Sequence, residues 1–475
     1  MPHKKSRCRK SQRGAAALAV SVVLLFGITL VAFFANRTLI FEQRSSANQM
    51  RATKAFEMAD AGIEWAVARL NDPNKLVDAT CTTSAAPTSA QLSFRGRYVK
   101  PTAANPPGKL TGWLDPVLNT YPGCSVDAAG AFTCACPTPV GIATAAVLTN
   151  IGDPKFRVQF KPVPGDDLSV EILSRGCSNG SACDPSAVPT DADSTAIVRL
   201  LLKVRPTFPT VPGAGLISGS TTVISGSLNV VNTDTASNGI TINTGSTMTF
   251  SGAGTTVQTL PGTSPYASVL DNDPSLLQLT NADSDGTLFF SSYFGENFPN
   301  YKANPQTKVI TRGGSSNYAS GQCSNDGDCG SAVSYWVDRG ITQFWLDVPS
   351  GTCGSPPTCG VTFNSSNMPS TTSGTLGTAN NPIAFATNGQ LLLNGGVTAY
   401  GILYAATATA QDDLTYSGGG SATIIGSLIS RGDFARTGNG NVSIIYNANL
   451  FGAKGPPSGL LVPVPGSWRD KLTSY

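Results

Sequence analysis

The stretch AAALAVSVVLLFGITLVAFFA, residues 15–35, decides how the rest of the chain is read. Its 21 residues carry no charge and no proline. At about 1.5 Å per residue they make roughly 31 Å of helix, enough to cross a bilayer core of about 30 Å. The helical pattern does not stop at the apolar edge. From Asn36 the residues turn polar and charged, yet helix formers continue and no proline intervenes before Pro73. Phe56, Ala59, Ile63, Ala66 and Leu70 recur at spacings of 3, 4, 3 and 4, one apolar seam on an otherwise wet helix. Asn71-Asp72-Pro73 reads as a stop. The expected element is about 84 Å long, apolar in its first half and amphipathic in its second.

What precedes it sets its orientation. Residues 1–14 hold Lys4, Lys5, Arg7, Arg9, Lys10 and Arg13 and no acid. A positive run ahead of an apolar segment keeps the N-terminus in the cytoplasm. A secretory signal peptide has an apolar region of about 7–15 residues and ends at a small-residue cleavage site. Here the run is longer and passes into helix without such an exit.

These residues carry a resemblance. Gln12-Arg13-Gly14 followed by AAALAV (15–20) resembles the class III leader junction of type IV pilins. AFEMADAGIE (55–64) resembles the A-F-x-x-A-E-A-G/A-hydrophobic signature of the PilX group of minor pilins, with Asp60 where that group usually has glutamate. The resemblance implies processing by a prepilin peptidase after Gly14, with methylation of the new N-terminus at Ala15. It implies insertion in the inner membrane with the C-terminal domains periplasmic, then a place in a pilus fibre at the cell surface. The implied partners are other minor and major pilins, met through the N-terminal helix, and a PilY-type tip adhesin. Major pilins carry a glutamate at the fifth mature position, where this chain has Ala19. By family analogy that glutamate pairs with a neighbour's N-terminal amine. A charge in hydrocarbon is costly unless paired, so a subunit without it suits the tip, where nothing sits above. The alternative in the same structural class is a K-type pseudopilin of type II secretion. From another class comes a membrane-anchored β-solenoid adhesin that never enters a fibre.

Beyond the helix (15–72, with 15–35 transmembrane) the expected fold class is α+β. Residues 73–205 form a pilin-like head. Residues 74–139 read as loop-rich, followed by three strands, FRVQF (156–160), LSVEIL (168–173) and AIVRLLLKV (196–204). Their alternation predicts an antiparallel sheet with one covered face, laid on the second half of the helix. Residues 206–212 are a proline-rich linker. From 213 to 475 the chain is rich in Gly, Ser, Thr and Asn with short β-branched runs. Gly401-Ile402-Leu403 and Gly426-Ser427-Leu428 stand 25 residues apart, each following a strand. Short strands at a repeating period with glycine corners predict a parallel β-solenoid, with an insertion at 264–379; a β-sandwich is the alternative. The insertion holds LFFSSYFG (288–295), expected to build a small aromatic core under a loop. Trp468, in the closing VPGSWRD, is expected to cover an open end of the β-region.

Eleven cysteines are present, Cys8 within residues 1–14. The remaining ten fit an oxidising compartment. Cys177 with Cys183, Cys323 with Cys329, and Cys353 with Cys359 share one spacing across turn-forming residues, and small closed loops are the expectation. Cys81, Cys124, Cys134 and Cys136 make two further pairs in an order the sequence leaves open. Without residues 1–14 the chain holds 26 Lys+Arg against 29 Asp+Glu, a formal charge of −3, and no basic patch to recruit nucleic acid. The one histidine is His3, so no imidazole serves a triad or a metal beyond it. No phosphate-binding or dinucleotide fingerprint occurs. No enzyme and no cofactor are expected. Two short motifs remain. Asn281, Asp283 and Asp285 copy the first half of a calcium loop, with Ser292 where its glutamate would stand, and read better as an Asx-rich turn. Arg431-Gly432-Asp433 spells an adhesive tripeptide and reads better as a turn between strands.

Overall fold

The computed structural model describes residues 13–475 apart from 77–79, 85–90, 102–109, 113–120, 138–147, 149–151, 181–182, 186–191, 207, 251–253, 282–285, 350–351, 353–358, 406–413, 418–420, 438–439, 452–458 and 471–475. One helix, Arg13–Leu70, runs unbroken for 58 residues, about 87 Å. It ends at the stop the sequence marks. The Asp72 carboxylate accepts from the Asn74 backbone N–H at 2.9 Å, an Asx turn that carries the chain past Pro73.

The second half of the helix lies across a six-stranded antiparallel sheet. Its spatial order is Gly459–Pro463, Thr195–Pro206, Asp166–Cys177, Lys155–Val163, Gly123–Val126, Phe132–Ala135. The covered face and the helix share one core, including Ile63, Leu70, Phe94, Phe156, Val158, Ile172, Val198 and Leu202. Trp65 packs edge-on to Phe94, ring centroids 5.2 Å apart. The opposite face carries ion pairs such as Arg199 with Glu171, as the alternation requires. Two strands of this sheet, Gly123–Val126 and Phe132–Ala135, fall where the sequence reads as loop. They are short, and the disulfide Cys124–Cys134 ties them directly across the ladder. Cys81–Cys136 is the other pair the sequence left open.

Contact between helix and sheet is made by small residues. Ala55, Ala59 and Ala66 are fully buried. A Cβ at Gly176 would stand 2.1 Å from the carbonyl oxygen of Ala55, and one at Gly62 would stand 2.1 Å from the Ser174 hydroxyl. Both are closer than real Cβ contacts allow: at Gly176 the strand meets the helix backbone to backbone, and at Gly62 the helix backbone meets the Ser174 and Phe156 side chains. Phe56, assigned to the seam by spacing, is 36 % exposed; Ala55 takes the inner position instead, one residue earlier.

The chain end departs from the sequence reading. Gly459–Pro463 does not belong with the β-region; it pairs antiparallel with Thr195–Pro206 and closes that edge of the head sheet. The Asn71 side chain fastens it: its amide donates to the Leu461 carbonyl at 2.9 Å and accepts from the Leu461 N–H at 2.8 Å. Trp468 likewise covers no β-end. It lies edge-on to Phe56, centroids 6.2 Å apart, and donates its indole N–H to Asp60 at 3.4 Å.

From Leu216 the pairing becomes parallel. Among the described residues two sheets, of 13 and six strands, contain parallel ladders throughout, and from Ile383–Thr387 to Asn441–Ile445 successive strands alternate between them. Spatial order differs from chain order. Leu216–Ser218 pairs on one side with Ile242–Thr244 and on the other with Leu428 to Ser430 of the strand Ser421–Ser430. Thr222–Ile224 and Ser227–Val231 make the same double contact, with Phe434–Thr437 and Asn441–Ile445 on the late side. Gly401 and Gly426 are direct partners. Their φ values are 124° and 139°, and a Cβ on Gly426 would stand 2.0 Å from the Gly401 carbonyl oxygen; only glycine takes this corner. The insertion is shorter than 264–379. Gln343–Asp347, Gly360–Phe363 and Thr375–Leu376, inside those bounds, are members of the parallel ladders. Helices Pro274–Asn281, Thr287–Phe294 and Phe298–Ala303 occupy the excursion between Val269–Leu270 and Thr307–Arg312. Leu288 to Phe294 lie in the helix Thr287–Phe294. Phe289, Phe290, Tyr293 and Phe294 share a core with Tyr301, Trp345 and Tyr404.

Two outcomes follow from these contacts. Gly176→Val forces the helix off the strand and is expected to lower unfolding stability by about 1–3 kcal/mol, the cost of overpacking; Gly62→Val is expected to do the same, both read by thermal melts. Asn71→Ala leaves the Leu461 N–H and C=O without their side-chain partner and is expected to cost about 1–3 kcal/mol. Limited proteolysis should then release the C-terminal strand before the rest of the fold is cut.

Candidate assembly interface

The helix divides sharply by environment. Residues 16–54 are exposed along their whole length, while the seam from Ala55 to Leu70 is buried against the sheet. The free part spans 39 residues, about 58 Å. Leu18, Val23, Leu25, Phe26, Val31 and Phe33 are each about two-thirds exposed. Within the apolar run the polar side chains are satisfied by their own helix. The Ser21 hydroxyl donates to the Leu18 carbonyl at 2.9 Å, and Thr29 donates to the Leu25 carbonyl at 2.9 Å. The segment therefore offers hydrocarbon or a neighbouring helix nothing but apolar surface, with every backbone group paired. A contiguous exposed apolar surface of this size on a folded protein marks a membrane or protein contact. The first charge beyond the run is Arg37, whose guanidinium lies 5.8 Å from the Phe41 ring centre.

The sequence-marked residues are placed as follows. Gly14 and Ala15 lie in the first turn of the helix. Cys177 is bonded to Cys183 and Cys323 to Cys329. Cys359 is disulfide-bonded, and Cys353 lies outside the described residues. Asn281 ends the helix Pro274–Asn281 and is exposed; Asp283 and Asp285 lie outside the described residues. Among the described residues no group of three or more His, Cys, Asp or Glu side chains converges on a metal position. The triplet Arg431-Gly432-Asp433 is not displayed as an adhesive loop. Arg431 is 6 % exposed, the Gly432 carbonyl accepts from the Ser218 hydroxyl at 2.8 Å, and the Asp433 carboxylate accepts from the Thr221 N–H at 2.8 Å. Its atoms join the late strands to the early ones. No feature of the sequence pointed to Asn71 and Trp468 as the residues that fasten the chain end to the helix; their partners are nearly 400 residues away.

Comparison with known proteins agrees with the first part of this geometry. Residues 13–64 match the family described as PilX N-terminal. Among solved structures the chain is similar to the competence-associated pilin ComZ from Thermus thermophilus, at 13 % identity and a TM-score of 0.23, covering 89 % of this chain and 97 % of that one. No curated protein matches. Over its long helix the chain is thus similar to the N-terminal part of PilX proteins.

Proposed function

We propose that the chain is a minor pilin of the PilX kind, working by shape and packing. The observation that carries the reading is the helix Arg13–Leu70: bare and apolar along its first part, fused to a folded head along its second. A bare rod whose residues 15–35, about 31 Å, are apolar is unfavourable in water. It needs lipid first and the rods of neighbouring subunits afterwards. In this reading residues 1–14 are a leader removed by prepilin peptidase after Gly14, and Ala15 becomes the methylated N-terminus in the inner membrane. The head and the β-region then face the periplasm and later the cell surface. Ala19 leaves the apolar segment without a carboxylate, which favours a place in priming or tip assembly, beside other minor and major pilins and a PilY-type adhesin.

The domain scheme belongs to the same reading: leader 1–14, helix 15–72, head 73–205, linker 206–212 and β-region from 213, with the strand Gly459–Pro463 returned to the head. The parallel ladders, the in-register corner glycines Gly401 and Gly426, and the alternation of strands between two sheets from Ile383 to Ile445 support a β-solenoid for the β-region.

Mass spectrometry of the protein from its native membrane and from sheared fibres tests the central claim. The expected N-terminus is N-methylated Ala15 in both. A chain retaining residues 1–14 and absent from fibres would replace the pilin reading with that of a membrane-anchored adhesin. Gly14→Val is expected to keep residues 1–14 attached and to hold the protein in the membrane fraction.

A further inference from the structure

The stack of parallel strands has two unlike ends. At one, the helix Asp326–Val337 lies on the strand Gly360–Phe363. A Cβ on Gly330 would stand 2.3 Å from the Thr362 carbonyl oxygen. Cys329, Ala332, Val333 and Trp336 join Val361 and Phe363 in the core there, and Cys323–Cys329 fixes the helix to its entry strand. That end is covered. At the other end the last strands are Met248–Phe250, Thr256–Gln258 and Val269–Leu270, each paired on one side only among the described residues.

Side chains and backbone are both open at this end. Phe250 is the register partner of Ile224, which is fully buried, yet Phe250 is 40 % exposed. Val257 and Val269 follow Val230 and Ile242 in the same way: their partners are fully buried and they are not. The interior column of apolar residues therefore ends unroofed. The ladder also assigns the backbone. Asn232 N–H bonds the Gln258 carbonyl at 2.8 Å, and Thr222 N–H bonds the Thr247 carbonyl at 3.1 Å. In a parallel ladder alternate residues face alternate sides, so the N–H and C=O of Val257, Met248 and Phe250 face outward. Open edges of this kind are templates for another strand.

Charge says which strand. From residue 206 to 301 the sequence holds Asp234, Asp271, Asp273, Asp283, Asp285 and Glu296, and no lysine, arginine or histidine. Arg436, one strand in from Ile224, is fully buried. Asp271 and Asp273 follow the end strand Val269–Leu270 directly, and Asp234 follows Ser227–Val231, the partner of Thr256–Gln258, so carboxylates border the uncovered end.

We infer that the uncovered end formed by Met248–Phe250, Thr256–Gln258 and Val269–Leu270 docks an extended segment of a different protein, one in which lysine or arginine alternates with apolar residues, added as a further strand. Its apolar side chains roof Phe250, Val257 and Val269. Its backbone pairs with Val257 and its neighbours, and its cations meet the surrounding carboxylates. The inference rests on the open edge and not on the fibre role, so it stands or falls separately from the pilin reading.

The test uses the full chain in detergent micelles and, as probe, a fluorescent peptide of alternating lysine and valine, with a glutamate–valine peptide as control. The lysine peptide is expected to bind and to weaken with added salt, and the glutamate peptide not to bind. Val257→Pro removes an outward N–H without breaking an existing ladder bond and is expected to weaken binding at least about tenfold. Val257→Thr keeps that N–H and is expected to bind like the parent chain. If Val257→Pro melts early, Phe250→Lys replaces it: a cation at the edge is expected to weaken the lysine peptide as strongly. The proposal is overturned if the lysine peptide does not bind, or if neither Val257→Pro nor Phe250→Lys weakens it. It is also overturned if sedimentation shows the chain self-associating through this end, loss of association in Phe250→Lys then identifying a second copy as the occupant.

Discussion

Everything beyond the first half of the helix depends on how closely the second half approaches the sheet. Ala55, Ala59, Gly62 and Gly176 remove the side chains that would otherwise separate helix from strand. Dispersion falls steeply with distance, so surfaces in direct contact gain far more than surfaces held apart. That contact turns a helix that is greasy at one end into a mast firmly stepped in a folded base. The larger residues Ile63, Trp65 and Leu70 then fill the space to either side, against Phe94 and Phe156. The pilin signature at residues 55–64 has a physical meaning here: its alanines and glycine are the contact surface. Its acidic position, Asp60, turns outward to the Trp468 indole.

The second constraint is the double crossing between head and β-region. The chain leaves the head at the end of Thr195–Pro206 and returns as Gly459–Pro463, hydrogen-bonded to the strand it left. Gly459 sits opposite Pro206, so the two crossings start side by side. A single proline-rich linker would let the β-region swing; two adjacent strands restrict it. Asn71 extends the tie to the helix end, which links the membrane-facing rod, the head and the exit and return of the β-region through one small set of hydrogen bonds.

Much of this was legible in the residues and some was not. The long helix was, because hydropathy, helix propensity and the Asn-Asp-Pro stop all agree over 58 residues. The three long head strands were, because Phe156 to Phe160 alternates cleanly and Ala196 to Val204 is a β-branched and leucine-rich run broken only by Arg199 and Lys203. Cys177 with Cys183 and Cys323 with Cys329 were, because five intervening turn formers leave few other partners in reach. The seam was misplaced by one residue at its start, since spacing alone cannot tell Ala55 from its larger neighbour Phe56. The return strand and the true role of Trp468 were invisible: each depends on partners close to 400 residues distant. Arg431-Gly432-Asp433 was read as a turn between strands and lies between Ser421–Ser430 and Phe434–Thr437; what the sequence hid is that it joins early strands to late ones.

That joining bears on how the protein is made. Leu216–Ser218, Thr222–Ile224 and Ser227–Val231 are among the first parallel strands to emerge during synthesis, yet their partners on one side are residues 428–445, close to the end. The middle of the stack is therefore the last place to be completed. Until then a ribosome-bound or translocating chain carries two half-stacks with bare inner edges, and loop closure over some 200 residues delays their meeting. Such edges invite mispairing. A folding helper that shields extended chains in the compartment where this protein matures would act on that interval, before the late strands arrive to seal it.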